Sequence, residues 1–283
     1  MLNIKTINHL CLRIYVEDKI LVHIAGNMDK FCFLKEKETK PGKIRLIARA
    51  EKALKIIQVR ILQNLLYKIP ISPHAHGAVP GRSAKTNAAV HSGQRCKFCM
   101  DLKSCFPNIP SSRIRRLYEE TLGCSPIVAQ ALTNLTTFNY ELAQGFPTSA
   151  ALVNIICIPV DENIYKYIQP KGLKYSRYID DITVSGDYIS DRTKERIREI
   201  VLRNSFILNS DKEIFNTGDC ASVITGLNAD GQRPVVPRPY KRNVRAAENN
   251  LHKKKEKPVP NVDLKKEERS IVGKKQYIKN IEG

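Results

Sequence analysis

The stretch that decides the fold runs from residue 174 to residue 184 and reads Lys174-Tyr175-Ser176-Arg177-Tyr178-Ile179-Asp180-Asp181-Ile182-Thr183-Val184. The polar tip follows a basic approach, Lys174-Tyr175-Ser176-Arg177, and precedes a β-branched exit, Ile182-Thr183-Val184. This pattern predicts a strand, a turn and a second strand. Two adjacent carboxylates at such a tip repel each other and are costly to desolvate, so a fold tolerates them mainly where a cation lies opposite. Hard oxygen ligands favour magnesium. An ordinary solvated turn is the simpler alternative.

A third carboxylate follows another predicted strand. Residues 95–101 form a short strand pattern, and Asp101 comes directly after Phe98-Cys99-Met100. Antiparallel packing of this strand against the hairpin would bring Asp101, Asp180 and Asp181 to one point. Such a cluster can hold two magnesium ions about 3.5–4 Å apart, one activating a sugar hydroxyl and one neutralising the leaving pyrophosphate. The three carboxylates are therefore suited to phosphoryl-transfer chemistry, and the solvated turn stays open until the neighbouring motifs are considered.

The bulk composition indicates a polyanionic partner. The chain has 283 residues, and 47 Lys and Arg against 28 Asp and Glu give a formal charge of +19. Such an excess attracts nucleic acid, with a membrane surface as the alternative. No stretch approaches the roughly 20 apolar residues of a membrane span. The segment Met1 to Leu12 lacks the apolar centre of a signal peptide, so we expect a cytoplasmic protein that does not bind membranes.

The eight cysteines do not form a recognisable zinc-binding pattern. Cys96 and Cys99 have metal-like spacing, but no second pair follows at the distance of a zinc ribbon. The pair also lies in a predicted strand, where residues three apart face opposite sides of the sheet. Reduced, buried thiols are the simpler expectation for a reducing compartment.

Apolar spacing and turn residues predict an α+β fold. Helices are predicted within residues 1–30, 50–68, 86–91, 111–121, 126–138, 149–167 and 191–205. Strands are predicted in a basic hairpin over 31–49, at 95–101, on both sides of the acidic turn, and at 206–208 and 221–227. The basic tail over 238–283 keeps a few apolar residues, which favours a small helical module that orders on RNA over plain disorder.

Four segments, in order, resemble the motifs of reverse transcriptases, and more narrowly of retron reverse transcriptases. They are Asp101-Leu102-Lys103-Ser104-Cys105-Phe106-Pro107, Gln144-Gly145-Phe146-Pro147-Thr148-Ser149, Tyr178-Ile179-Asp180-Asp181 and Asn209-Ser210-Asp211-Lys212. Two shorter elements fit retrons: Asn87-Ala88-Ala89-Val90-His91, and Ile224-Thr225-Gly226 with Ile in place of Val. Ala150, Ile179 and Cys105 depart mildly from the usual pattern and leave the catalytic residues intact.

The resemblance implies a right-hand polymerase fold. Fingers are expected at 1–95, with an N-terminal helical segment. An antiparallel-sheet palm with interleaved fingers elements is expected at 96–235. A short, mostly helical thumb that serves as a basic RNA-recognition region is expected at 236–283.

The resemblance also implies roles for individual residues. The expected catalytic residues are Asp101, Asp180, Asp181 and Lys212, and the expected metal-binding residues are Asp101, Leu102, Asp180 and Asp181. The expected nucleotide-binding residues are Lys43, Arg45, Phe106, Gln144, Gly145 and Tyr178. The expected RNA-binding residues are Arg82, Asn87, His91, Arg242, Lys253, Lys254 and Lys274. Plain alternatives stay open at this point: Phe106 as a core aromatic, Lys212 as an exposed lysine, and His91 as a satisfied structural histidine.

The implied function is RNA-templated DNA synthesis that uses two magnesium ions and dNTPs. A retron enzyme would bind its cognate structured noncoding RNA and start from the 2′-hydroxyl of an internal guanosine, giving branched msDNA. It would act with an effector or toxin protein, in a possible higher-order complex, in bacterial anti-phage defence. The alternatives are an RNA-binding scaffold with a vestigial polymerase site, and a reverse transcriptase of an abortive-infection or group II intron-like lineage.

Overall fold

The computed structural model describes residues 1–40, 42–218, 222–256 and 263–283 as a mixture of helices and antiparallel sheets. The helices are α1 (Ile7–Ile14), α2 (Asp18–Gly26), α3 (Met28–Phe31), α4 (Lys52–Asn64), α5 (Ala84–Val90), α6 (Ser111–Arg116), α7 (Pro126–Thr136), α8 (Ser149–Ile156), α9 (Ile158–Ile168), α10 (Asp191–Arg203), α11 (Arg238–Glu256) and α12 (Leu264–Glu282). The strands are β1 (Cys32–Lys40), β2 (Lys43–Ala50), β3 (Cys96–Asp101), β4 (Lys174–Tyr178), β5 (Asp181–Gly186), β6 (Ile214–Asn216), β7 (Val223–Ile224) and β8 (Leu227–Asn228).

A four-stranded antiparallel sheet carries the acidic hairpin. Its strand order is β4-β5-β3-β6, so the hairpin strand β5 pairs directly with the predicted strand β3. Nearly every residue of β3 and β5 is buried, which is expected for strands covered on both faces by other elements. The sheet therefore places the predicted carboxylates at the same end of two central strands.

The basic hairpin forms a separate two-stranded sheet with two different faces. Lys37 pairs with Arg45 on one face, whereas Glu36 pairs with Leu46 on the other. The hairpin is attached to the rest of the chain at Ala48, whose N–H donates to the carbonyl of Gln144 at 2.8 Å. This bond brings β2 next to the predicted Gln-Gly segment.

Helix boundaries follow from capping residues and prolines. Ser83, Ser125 and Ser190 precede α5, α7 and α10, and each side chain accepts a bond from the backbone N–H three residues later. The predicted apolar helix over 149–167 is divided into α8 and α9, because Pro159 cannot donate a bond inside a continuous helix.

A second apolar cluster joins the C-terminal region to the sheet. It combines side chains from α5, the β7–β8 hairpin and the end of α12: Ala88, Ile224, Leu227, Ala229, Val236 and Ile281. Helices α11 and α12 pack against each other, as predicted for a small helical module. No helix among the described residues is both long and apolar enough to span a bilayer.

Two strand predictions differ from the structure. Residues 206–208 do not form a strand. They lie beside the residues that follow β3, and within the described part of the chain their only β-type pairing is an isolated bridge between Leu208 and Leu102. The fourth strand of the sheet is β6, which pairs with Lys97 to Cys99 and leaves Ile214 half exposed. The strand predicted at 221–227 is instead the short β7–β8 hairpin, and Ala221 itself lies outside the described residues.

Candidate active site

The register between β3 and β5 brings the acidic residues together. Asp101 is the direct partner of Asp181, so both side chains start from the same face of the sheet. The backbone N–H of Leu102 donates to the carbonyl of Asp180 at 3.0 Å, which fixes the turn beside the end of β3. The predicted antiparallel packing of these segments is therefore confirmed.

Burial and neighbouring negative charge raise the pKa of both carboxylates of the turn. Burial, followed by the charge of Asp101, raises the pKa of Asp180, while Lys212 and Arg45 act in the opposite direction. Loss of hydration and the charges of Asp180 and Asp101 raise the pKa of Asp181 to about 6. Both shifts indicate that the charged forms of these two carboxylates are costly in this site, first through burial and then through mutual repulsion.

Two side chains from the segment after α10 contact Asp101. The ammonium group of Lys212 lies 2.5 Å from one carboxylate oxygen, and the amide nitrogen of Asn209 lies 3.3 Å from the other. The backbone N–H of Asn209 also donates to the carbonyl of Asp101 at 2.9 Å. This segment therefore brings a proton donor to the carboxylates, as the predicted role of Lys212 requires.

The chemistry of the donor set fits magnesium. Asp101, Asp180 and Asp181 offer only oxygen ligands, and a bound cation would offset the burial and repulsion that raise the pKa values of the last two. In the described part of the chain, no group of three acidic, His or Cys side chains already has the arrangement of a metal site. The three carboxylates are thus the residues that would hold the cations, and the cations would supply counter-charge for phosphoryl transfer.

The basic hairpin packs closely on a glycine of the predicted nucleotide-binding segment. Gly145 has φ +118°, and a Cβ atom there would lie 2.6 Å from the carbonyl oxygen of Ala48. Only glycine accommodates both the conformation and the contact. Arg45 on the same hairpin lies near enough to Asp180 to lower its pKa. The side chain of Lys43 lies outside the described residues.

Two predicted nucleotide-binding aromatics lie close to the carboxylates in the sequence, and Tyr178 also pairs with one of them in the fold. Phe106 follows Asp101 by five residues and is half buried against the main core. Tyr178 is the last residue of β4, pairs with Asp181, and is also half buried. Both keep part of the ring accessible, which is compatible with the roles predicted for them.

Two of the predicted RNA-binding residues are buried. His91 is fully buried and is hydrogen-bonded to the hydroxyls of Ser185 at 2.6 Å and Ser176 at 2.7 Å. Burial lowers the pKa of His91 to about 3, so the ring is neutral at physiological pH. Asn87 accepts from Ser176 at 2.8 Å. These contacts favour the structural alternative for His91.

The other predicted RNA-binding residues lie in the loop before α5 and on the two C-terminal helices. Arg82 donates through one nitrogen to the carbonyls of Ser72, Pro73 and Ala75, so it stabilises its own loop. The remaining four lie on α11 and α12. Arg242, Lys253 and Lys274 are exposed, whereas Lys254 is half buried and pairs with Glu267 at 2.7 Å. Their role in RNA binding stays a prediction.

Three polar residues near the site were not predicted from the sequence. Arg177, Asp161 and Asn154 are buried beneath the acidic turn and are linked by hydrogen bonds. Little in the sequence indicated these contacts, because Asp161 lies in a helix with other polar residues and Arg177 lies in the basic segment before the turn. Buried charges of this kind are rare unless they are paired.

Comparison with known proteins agrees with this geometry. The model of the family described as reverse transcriptase (RNA-dependent DNA polymerase) matches residues 34–218. Retron Mx65 reverse transcriptase of Myxococcus xanthus is 35% identical over 211 residues, which are 67% of this chain and 49% of that protein. Retron Se72 reverse transcriptase of Salmonella heidelberg is 31% identical over 214 residues, 73% of this chain and 56% of that protein.

A further relative extends the match. Retron Ec86 reverse transcriptase of Escherichia coli is 28% identical over 236 residues, which are 83% of this chain and 73% of that protein. The chain spans about half the length of the first two relatives. The family match covers most of the chain, including all three carboxylates and Lys212. The chain therefore belongs to the reverse transcriptase (RNA-dependent DNA polymerase) family, and its relatives identify it as a retron-type member.

Proposed function

We propose that this chain is an RNA-templated DNA polymerase that uses dNTPs and two magnesium ions. The observation that carries the proposal is the direct pairing of Asp101 with Asp181, with Asp180 in the adjoining turn. This arrangement places three carboxylates at one end of a rigid sheet. Phosphoryl transfer needs mainly positioning and counter-charge, and these residues are suited to both.

The surrounding residues would divide the remaining work. The three carboxylates would hold the cations, which supply the counter-charge for the reaction when they are bound. Arg45 would bind the triphosphate, since a guanidinium offers paired donors to phosphate oxygens. Lys212 would give a proton to the departing pyrophosphate. Phe106 would lie under the sugar of the nucleotide and exclude a 2′-hydroxyl, as the family resemblance implies.

We further propose that the enzyme acts on a cognate structured noncoding RNA. In this proposal residues 1–95 are the fingers, 96–235 the palm, and 236–283 an RNA-binding thumb. Synthesis would start from an internal guanosine 2′-hydroxyl and give branched msDNA. An effector protein would complete a defence complex. The names of the relatives and the exposed cations of α11 and α12 support this finer proposal.

The free thiols support a cytoplasmic location. All seven cysteines in the described part of the chain are unpaired, and most are buried. Such thiols persist in a reducing compartment, where the RNA and dNTP substrates are also found.

Primer extension on an RNA template tests the polymerase directly. The wild-type chain should extend a DNA primer with dNTPs and magnesium, and Asp180→Ala should not. Failure of the wild-type chain on its own co-purified RNA would support a scaffold with a vestigial site instead. Activity of the wild type together with silence of the variant would exclude that scaffold.

Sequencing the nucleic acid that co-purifies with the chain tests the finer proposal. A covalently branched RNA–DNA species should be recovered from cells that carry the native locus. Linear complementary DNA alone would favour a different reverse transcriptase lineage.

A further inference from the structure

The residue before the acidic turn is a fully buried arginine with several partners. The guanidinium of Arg177 forms a two-pronged ion pair with Asp161, through Nε and Nη2, each at 2.8 Å. Its third nitrogen, Nη1, donates to the side-chain oxygen of Asn154 at 2.9 Å and to the carbonyl of Ile179 at 2.8 Å. Both Arg177 and Asp161 have no exposed surface. The arginine therefore joins the core to the turn.

The bond to Ile179 is placed where it controls a catalytic residue. The carbonyl of Ile179 belongs to the same planar peptide unit as the backbone nitrogen of Asp180. Fixing that carbonyl therefore fixes the plane from which the Asp180 side chain projects. Ile179 itself has φ +60°, a left-handed conformation that costs a β-branched residue about 1–2 kcal/mol. Such a conformation persists only when its surroundings determine it.

A second segment holds the turn from the opposite side. The backbone of Arg177 exchanges hydrogen bonds with His74 at 2.8 Å and with His76 at 2.7 Å. Asn154 donates to the carbonyl of Gly77 at 2.8 Å. A Cβ atom at Gly77 would lie 2.7 Å from the backbone nitrogen of Ile179. The residues 74–77 thus pack directly on the turn, and Asn154 connects them to the arginine.

An arginine is the side chain that can make this set of bonds. Its planar fork saturates both oxygens of Asp161 while a third nitrogen remains for the turn, which a lysine ammonium cannot reproduce. Stability alone does not explain the pair, because a buried ion pair can often be replaced by apolar residues without loss of stability. Conformational specificity at the adjoining turn is the remaining physical reason to retain it.

We propose that Arg177 is a positioning residue that, with Asp161 and Asn154, holds the Ile179–Asp180 peptide in the orientation needed for catalysis. The inference rests on the proposed polymerase function. Arg177 does not touch the reacting groups and acts only through the backbone of the turn. A misplacement of about 1 Å at a reacting group can cost about 10²-fold in rate, so a loosened turn is sufficient to impair synthesis.

Arg177→Lys is the primary test, in the full-length chain. We expect kcat for primer extension to fall about 10²-fold, with little change in KM for the template-primer. Hydrogen exchange of the peptide around residues 176–182, measured without substrate or metal, should become faster in the variant. The exchange measurement does not depend on polymerase activity. It can therefore test the positioning role of Arg177 even if the chain proves inactive as a polymerase.

A double variant separates positioning from stability. Arg177→Met with Asp161→Asn removes both charges and keeps an acceptor for the Tyr175 hydroxyl, which lies 2.6 Å from Asp161. We expect this variant to fold and still to show the slow kcat and the fast exchange at the turn.

Lys97→Met is the matched control. Lys97 is a buried cation on the same sheet, and it pairs with Asp230 at 3.3 Å, far from the turn. It should keep the wild-type kcat and the wild-type exchange at residues 176–182.

Two results would overturn the proposal. One is a folded Arg177→Lys or double variant with wild-type kcat and wild-type exchange at the turn. The other is failure of both Arg177 variants to fold while Lys97→Met folds, because Arg177 would then serve the stability of the whole domain.

Discussion

The acidic turn and the C-terminal helix pair use ion pairs in opposite surroundings. Beneath the turn, Arg177 and Asp161 are completely buried, and each is saturated by hydrogen bonds. Between α11 and α12, the pair of Lys255 and Glu268 is about half exposed on both sides. The buried pair acts in a low dielectric and fixes one geometry, whereas exposed pairs contribute only about 0–1 kcal/mol each and are screened by salt.

This difference teaches where precision and adaptability lie in the molecule. The apolar seam between α11 and α12 is small, with Val244, Leu251 and Ile271 as its buried residues. Weak surface pairs around such a seam can exchange for phosphate groups at little cost. We therefore expect the sheet to remain rigid when RNA binds, while the two helices adjust. The following predictions test that contrast, beginning with the largest effect.

Asp180→Asn should separate synthesis from RNA binding. We expect extension to fall by about 10³-fold or more, because one of the carboxylates that would hold the cations is lost. RNA affinity should stay unchanged, since α11 and α12 are not altered. Steady-state extension and filter binding measure the two effects. Asp187→Asn, an exposed carboxylate near the other end of β5, is the control and should behave as wild type. Equal losses of synthesis and binding in Asp180→Asn would contradict the separation.

Lys212→Met should slow the chemical step without weakening RNA binding. The ammonium group lies 2.5 Å from Asp101 and is about half exposed, so it can reach both the carboxylates and a bound nucleotide. Removal of a general acid typically costs about 10²-fold or more in kcat. Single-turnover extension measures the step. Lys212→Arg keeps the positive charge, but a guanidinium holds its protons too tightly to act as an acid, so this variant should also stay slow. A Met variant as fast as wild type would exclude Lys212 as the proton donor.

Removal of three exposed cations from the helix pair should weaken RNA binding with a smaller effect on chemistry. We expect Arg242→Gln, Lys253→Gln and Lys274→Gln together to lower the affinity roughly tenfold at physiological salt. The slope of the logarithm of the RNA-binding constant against the logarithm of the salt concentration should become shallower by about 2–3, because each cation that is removed loses about one phosphate contact. The control variant removes the same number of charges from the N-terminal helices, by changing three residues to Gln together: Arg13, Lys19 and Lys30. If the helix-pair variant and the control variant show the same salt slope, the RNA does not bind mainly to α11 and α12.

Asp181→Asn should stabilise the metal-free protein at neutral pH. The pKa of Asp181 is raised to about 6 in the folded chain, from 3.8, so its ionisation above that pH opposes folding. The gain should be roughly 0.5–1 kcal/mol after allowance for solvent screening, since the side chain reaches solvent. It should be complete above pH 6 and disappear as the pH falls towards 4. Urea denaturation with a chelator at pH 5 and pH 8 measures it.

A surface carboxylate gives the control for that prediction. Asp191 lies in the first turn of α10 and pairs with Lys194 at 2.6 Å, and this contact lowers its pKa. Asp191→Asn should therefore give no gain in stability at pH 8. A gain there equal to that of Asp181→Asn would show that net charge, rather than repulsion within the acidic cluster, is responsible.

The parts of the site that follow from local pattern could be predicted from the sequence. Turn residues and β-branched residues indicated the hairpin, and adjacent carboxylates indicated charge that needs a cation. The pairing of Asp101 with Asp181 followed from antiparallel packing of two short strands. The strand predicted at 206–208 was wrong because apolar content alone does not show which segment lies next to β3.

Long-range polar contacts could not be predicted in the same way. Asp161 and Arg177 are separated by the end of a helix, a turn and most of a strand, and no local periodicity joins them. The motif suggested RNA binding or a structural role for His91 but not its partners, which are two hydroxyl groups from β4 and β5. Tertiary packing decides the partners of such side chains, and a single sequence records only that polar residues occur in apolar surroundings.

The close packing of Gly77 on Ile179 has a consequence for how the chain tolerates mutation. A methyl group at position 77 would meet the backbone nitrogen of Ile179, although Gly77 bears no functional group and lies about a hundred residues earlier in the chain. Substitutions there should therefore resemble active-site lesions in a genetic screen, while the protein accumulates normally. Sequence drift in this loop would be constrained by the enzyme's chemistry, and libraries that diversify the loop should keep glycine at this one position.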